Sequence, residues 1–303
     1  MRNTTILLFL FIVLSSCSFN KAFYQYDKLP APPTTLFIID NPTTRPDTTL
    51  IDVKADNFQP LFMDTRHTPK HLDYTVRGYA FKSSDGNKLA GWLFTPITAS
   101  KKNISILLVH GNGGNLTSQM GGPVQLAKQG FTVFLFDYSG YGFSEGSPTR
   151  KRFLQDGNSA LDYMLTLPEV KGTKIVVYGQ SLGGHLSATI AAQNEKKIDG
   201  LVIEGAPSSH KDIAAHLNKS LALLARILVH EGYAAKRSIR HYHKPLLLIY
   251  SSEDKIVPMW MGRKLYDNAN EPKSFYEVRH PHISGLTFYA DSISQRIIAL
   301  VAK

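Results

Sequence analysis

Ser181 stands in the run Tyr-Gly-Gln-Ser-Leu-Gly-Gly-His, residues 178–185, with Gly179 and Gly183 two positions to either side. A serine hydroxyl becomes a nucleophile when a base takes its proton, and the base in turn needs an acid to orient it. A turn sharp enough to present such a serine leaves no room for side chains two residues away, and glycine meets that demand. The pattern alone arises by chance about once in ten chains of this length at average glycine usage. Its surroundings therefore decide what it means.

Upstream, residues 109–115 read Val-His-Gly-Asn-Gly-Gly-Asn. A glycine-rich turn at a strand end can aim backbone N–H groups at the oxygen that becomes negative in acyl transfer, each donor contributing about 3 kcal/mol. Such a hole takes the N–H after the nucleophile, here Leu182, and one from the upstream loop, Asn112 or Gly113; we choose Asn112. A phosphate cradle is the competing use. No Gly-Lys-Ser/Thr follows, however, and no Gly-x-Gly-x-x-Gly opens a helix here. Downstream, Asp254 lies just past an apolar run in Ser-Ser-Glu-Asp-Lys-Ile-Val-Pro, residues 251–258. Glu253 competes, but it is longer and one residue nearer the strand. The base comes from Arg-His-Pro-His, residues 279–282, which offers both His280 and His282. Of the other histidines, His110 reads as a loop-orienting residue, and His185 lies one turn into the helix after Ser181.

Elements must hold these groups together. Short apolar runs at 104–110, 131–137, 174–179, 200–205, 245–252 and 274–279 predict strands, most of them buried on both faces of a parallel sheet. Before them, 74–83 and 87–96 flank Asp85-Gly86, a hairpin signal. Helical stretches near 117–129, 152–166, 182–194, 211–229, 258–269 and 286–301 separate the later strands. The expected class is α/β, with about eight strands, mostly parallel, and helices on both faces. Residues 206–244 form a possible lid. Within it Leu217, Leu221, Leu224, Ile227 and Leu228 recur at helical spacing, which predicts a core-facing helix in preference to a mobile lid.

Together these segments resemble the α/β-hydrolase superfamily of serine enzymes over residues 73–303. The carrying stretches are residues 85–94, 110–115, 136–148, 178–184 and 253–258, in the superfamily's order. Within it the chain is similar to abhydrolase-domain proteins related to acyl-protein thioesterases and to membrane-associated esterase-like proteins of bacteria. Those relatives commonly have arginine where this chain has Ser139, and Gly-x-Gly-His where it has residues 279–282. Superposing the two patterns places the base on His282 and puts His280 at a family glycine.

The N-terminus is different material. Arg2 precedes an uncharged apolar run, Thr4 to Leu14, and then Leu14-Ser-Ser-Cys17. The run is too short for a spanning helix but suits a secretory signal, and the cysteine fits a bacterial lipoprotein site. Cys17 is the single cysteine, which excludes an internal disulfide and argues against a cysteine metal site. Residues 18–72 hold seven of the 16 prolines and read as a tether with irregular structure. Net charge is +10, which favours anionic neighbours such as a membrane. No dense basic run or zinc-finger spacing points to nucleic acid. The expected protein is a lipid-anchored cell-envelope serine hydrolase acting on an ester or thioester, with no metal or cofactor. The alternatives are a peptidase or amidase using the same residues, or a non-catalytic binding lipoprotein.

Overall fold

The computed structural model describes residues 24–40, 47–97 and 102–302; Cys17 and the apolar run before it lie outside them. The main sheet has eight strands: β4 (Tyr74–Lys82), β5 (Lys88–Pro96), β6 (Ile104–Val109), β7 (Thr132–Phe136), β8 (Lys174–Gln180), β9 (Gly200–Glu204), β10 (Leu246–Ser251) and β11 (Lys273–Val278). Their spatial order is β11-β10-β9-β8-β6-β7-β5-β4. β4 and β5 form the expected antiparallel hairpin, β5 joins β7 antiparallel, and the remaining pairs are parallel. Every residue of β6, β7, β9 and β10 is buried, which is why these runs show no polar alternation.

Successive strand residues feed opposite cores. Leu107 and Val177 pack with Phe153, Leu186 and Met261 on one face, whereas Ile106 and Val176 pack with Leu126, Ile293 and Ile297 on the other. The first face is covered by α3 (Arg150–Met164), α4 (Leu182–Gln193) and α8 (Met259–Asn268). The second is covered by α2 (Gly121–Lys128) and α10 (Ala290–Val301), with the one-turn helices α1 (Leu116–Gln119) and α9 (Gly285–Phe288) beside them. Asn115 caps α1 and Thr149 caps α3 through their side-chain oxygens, each such cap contributing about 1 kcal/mol.

Residues 24–72 correct the expectation of irregular structure. β1 (Thr34–Asp40), β2 (Asp47–Val53) and β3 (Pro60–Met63) form an antiparallel three-stranded sheet. Proline does not prevent it, because Pro33 precedes β1 and Pro60 opens β3, positions where a missing N–H costs no ladder bond. This sheet packs on the β4–β5 hairpin: Phe62 lies edge-on to Trp92, and the Trp92 indole donates to the Phe58 carbonyl at 2.9 Å. Gly78 on edge strand β4 permits the approach, since a Cβ there would lie 2.6 Å from the Asn57 carbonyl oxygen and the Gln59 backbone. The exposed edge is thereby covered.

Between β9 and β10 rises a cap of three short helices, α5 (His210–Leu217), α6 (Ala222–Leu228) and α7 (Ala235–Ser238). The single core-facing helix expected at 211–229 is not formed. Asn218 and Leu221 leave helical backbone angles around a 3-10 turn, so the segment bends off the sheet. Leu217, Leu221, Leu224 and Ile227 are exposed. No helix among the described residues is long and apolar enough to cross a membrane.

Candidate active site

Ser181 occupies the turn between β8 and α4 with φ +53° and ψ −119°. A non-glycine residue in this region stores strain of about 1–3 kcal/mol and persists only where its surroundings impose it. Two hydrogen bonds impose it here. The Ser181 N–H donates to the Glu204 carbonyl at 2.9 Å, and the His185 N–H donates to the Ser181 carbonyl at 3.0 Å. The flanking glycines also let the backbones close up. A Cβ on Gly179 would lie 2.3 Å from Ser187 Oγ, and one on Gly183 would lie 2.0 Å from the Val109 carbonyl oxygen.

His282 bridges the other two groups. Its Nε2 is 2.8 Å from Ser181 Oγ, and its Nδ1 is 2.6 Å from Asp254 Oδ2. The second carboxylate oxygen of Asp254 accepts the N–H groups of Ile256 and Val257 at 2.8 and 2.9 Å, which locks the carboxylate plane. The Asp254 side chain is buried, whereas the His282 side chain is 14% exposed. His282 thus keeps access to solvent while the Asp254 carboxylate that it contacts is dry. Gly205, at φ +57°, passes close by; a Cβ there would lie 3.4 Å from Asp254 Oδ2 and 3.5 Å from His282 Cε1.

The competing residues point elsewhere. His280 is buried; Ser251 Oγ accepts its N–H at 2.9 Å and donates to its carbonyl at 2.6 Å. Its ring stacks beside Phe288, and its Nε2 lies 3.9 Å from Glu204 Oε1, so it props the loop from within. Glu253 donates its backbone N–H to Ser251 Oγ and lines the cavity beside His282.

In the loop after β6, Gly111 abuts Ser181, its built Cβ falling 3.4 Å from Ser181 Cβ. The Asn112 carbonyl accepts the Tyr141 hydroxyl at 2.9 Å, and the His110 carbonyl accepts the Tyr138 hydroxyl at 2.7 Å. Leu182 opens α4, so its N–H has no acceptor within the helix and the helix N-terminus faces the site. Burial holds the His110 imidazole down to about 4 against the hydrogen bond from its Nδ1 to the Gly111 carbonyl. It is therefore neutral and serves the loop as a spacer. His185 is likewise brought to about 4 chiefly by burial, with Pro207 accepting at its Nδ1.

Two supports carried no clear signal in the sequence. Glu204, buried at the end of β9, accepts Tyr178 Oη and Gln180 Nε2 at 2.8 Å each and the Gly285 N–H at 2.7 Å. It ties β8 to the segment after His282. Residues 26–28 do the same for the loop after β6. Tyr26 bridges to Gly114, Asp27 accepts from Asn115 Nδ2 at 3.0 Å, and Lys28 Nζ donates to the Ser144 carbonyl.

A cavity of 650 Å³ opens beside His282, lined also by Glu253, Lys255, Ile256 and Pro281. A larger one of 870 Å³ lies under the N-terminal sheet, against Leu36, Phe62, Met120 and Val124, and is lined by none of Ser181, Asp254 and His282. Among the described residues no group of three or more His, Cys, Asp or Glu side chains is placed to hold a metal.

Known proteins share this arrangement of elements. A family model described as alpha/beta hydrolase fold matches residues 104–232. YfhR of Escherichia coli O157:H7, an uncharacterized protein, is 30% identical over 204 residues, covering 66% of this chain and 70% of its own. The Arabidopsis thaliana alpha/beta hydrolase domain-containing protein WAV2 is 29% identical over 215 residues, 67% of this chain and 69% of its own. Among solved structures the Pyrococcus furiosus esterase Pf2001 superposes with a TM-score of 0.63 at 18% identity, over 76% of this chain and 91% of that one. The chain belongs to the alpha/beta hydrolase fold family.

Proposed function

We propose that this chain is a serine hydrolase that cleaves a carboxylic ester or thioester through an acyl-enzyme, held at the cell envelope by a lipid on Cys17. The observation that carries the chemistry is the continuous path from Ser181 Oγ through His282 to Asp254, at 2.8 and 2.6 Å. His282 Nε2 takes the Ser181 proton as Oγ attacks the carbonyl carbon. Asp254 accepts Nδ1–H, which fixes the tautomer and favours the imidazolium that forms. The Leu182 and Asn112 N–H groups, with the α4 N-terminus behind them, receive the developing oxyanion. The imidazolium then protonates the leaving alcohol or thiol. Water, activated by the same imidazole, releases the acid and restores Ser181. Likeness to an esterase fold is consistent with ester substrates. The anchor rests on the apolar run and the Leu-Ser-Ser-Cys sequence that ends it.

Hydrolysis of a panel of short-chain aryl esters and thioesters tests the chemistry. Wild type is expected to turn over members of the panel, and Ser181→Ala to lose that turnover; an unchanged Ser181→Ala rate refutes the assignment. For the anchor, Cys17→Ser expressed as the full chain is expected to leave the membrane fraction. Unaltered partitioning refutes lipidation.

A further inference from the structure

The cap carries an apolar surface that the chemistry above does not use. Leu217, Leu221, Leu223, Leu224 and Ile227 are 56, 55, 75, 47 and 68% exposed. No residue of α6 is buried. Scattered exposed leucines are ordinary, but a cluster of large ones along one short segment marks a surface that meets something apolar. The exposure does not come from a loose segment. Ser209 caps α5, and the buried Asp212 on that helix accepts Ser208 Oγ, Lys236 Nζ and Lys264 Nζ at 2.7, 2.9 and 3.0 Å. Beyond α6, Val229, Tyr233, Ala234 and Ala235 are buried. Both feet of the cap are pinned, so the apolar stripe is held outward.

Charge narrows what can cover it. Residues 207–243 contain six Lys or Arg and two acids. Both acids are already engaged, Asp212 by Lys236 and Lys264, and Glu231 by Arg237. Lys219 and Arg226, interleaved with the leucines, are exposed and form no ion pair among the described residues. The same character continues toward the catalytic mouth. Lys264, tied to Asp212, lies over the ring of Trp260, which is 42% exposed. Ile256, 49% exposed, lines the cavity that contains His282. Exposed apolar side chains interleaved with two cations that form no ion pair among the described residues, Lys219 and Arg226, match the boundary between acyl chains and anionic headgroups.

We propose that the α5–α6 cap, with Trp260 and Ile256, docks on an anionic phospholipid bilayer and turns the mouth beside His282 toward it. The contact is separate from both the Cys17 lipid and the serine chemistry, and an acyl substrate would enter from the bilayer side.

The chain has two tryptophans. Trp92 is fully buried, and Trp260 stands at the proposed contact. The full chain, reconstituted in vesicles containing phosphatidylglycerol with brominated acyl chains, is expected to lose Trp260 emission. Trp260→Phe supplies the Trp92 background. Quenching should weaken in purely phosphatidylcholine vesicles and in Lys219→Glu/Arg226→Glu, and should disappear in Leu223→Glu/Ile227→Glu. Both double variants should keep their turnover of a soluble aryl ester. With Cys17→Ser, less protein binds, but the molecules that do bind still show quenched Trp260. Unquenched Trp260 in wild type, or equal quenching in Leu223→Glu/Ile227→Glu, overturns the proposal. So does a wild-type dimer in sedimentation that the leucine substitutions dissociate, since a second copy would then cover the face.

Discussion

Asp254→Asn replaces one carboxylate oxygen by an amide NH₂, and the local hydrogen bonds dictate which one. Oδ1 of Asp254 accepts two backbone N–H groups, from Ile256 and Val257. An amide nitrogen there would face two donors, so the asparagine oxygen must take that position. Its NH₂ then points at His282 Nδ1, where Oδ2 now sits at 2.6 Å. An NH₂ donates, so Nδ1 must become the acceptor and the imidazole proton moves to Nε2. Nε2 is the atom 2.8 Å from Ser181 Oγ, and once protonated it can no longer take the serine proton. Loss of the correct tautomer in such a triad costs about 10⁴-fold in kcat, equivalent to about 5 kcal/mol of barrier. Both backbone anchors survive, so the fold should persist, with a far-UV spectrum and thermal midpoint close to wild type. The assay is the initial rate on a short-chain aryl ester, with kcat and KM separated. A kcat loss with KM little changed is expected. A correctly folded Asp254→Asn that retains a tenth or more of wild-type kcat would refute the orienting role of Asp254.

Further outcomes follow from the same geometry. Gly183→Ala would normally favour a helix by about 1 kcal/mol, but here its Cβ meets the Val109 and His110 carbonyl oxygens at 2.0 and 2.4 Å. Overpacking should reverse the sign to a loss of about 1–3 kcal/mol in denaturant unfolding, and a shift of the elbow by about 1 Å should cost roughly 10²-fold in kcat. His282→Ala should lower kcat by about 10³-fold, whereas His280→Ala should lower the thermal midpoint and keep most of the turnover; equal losses of turnover would contradict the separate roles. His185, depressed to about 4 by burial, stays neutral in the folded chain while its unfolded counterpart protonates near 6.5. Its contribution is therefore complete above about pH 6.5 and is lost as pH falls toward 4, by up to about 3 kcal/mol. Asp137, pushed up to about 7 by burial, acts in the opposite sense, so the informative quantity is the difference between wild type and His185→Asn. That difference in urea stability should change between pH 7.5 and 4.5, and parallel pH dependences would contradict the neutral assignment.

Much of this design is legible in the residues. The fully buried strands announce themselves as unbroken apolar runs, and strand, turn and helix around Ser181 follow from its two glycines. Asp254 is legible because it lies just past the end of a buried strand, β10. The choice between His280 and His282 is not a matter of spacing, since both sit in one loop. What separates them is tertiary: the Ser251 clamp holds the His280 backbone, the loop turns at Ile283 with φ +48°, and His282 Nε2 lies 2.8 Å from Ser181 Oγ. Glu204 stays hidden because an acid at a strand end ordinarily faces water; only the fold surrounds it with Tyr178, Gln180 and Gly285. The N-terminal sheet is obscured by its prolines, whose effect depends on strand position and not on number. The cap shows the limit of periodicity: leucines at helical spacing reveal an apolar face, but not what covers it.

The account rests on Ser181 being the nucleophile. The most direct measurement is covalent: react the purified chain with a fluorophosphonate probe, digest it, and locate the adduct by mass spectrometry. The adduct is expected on the peptide containing Ser181, absent in Ser181→Ala and greatly slowed in His282→Ala. An adduct on another serine, or labelling that persists in Ser181→Ala, would contradict the account.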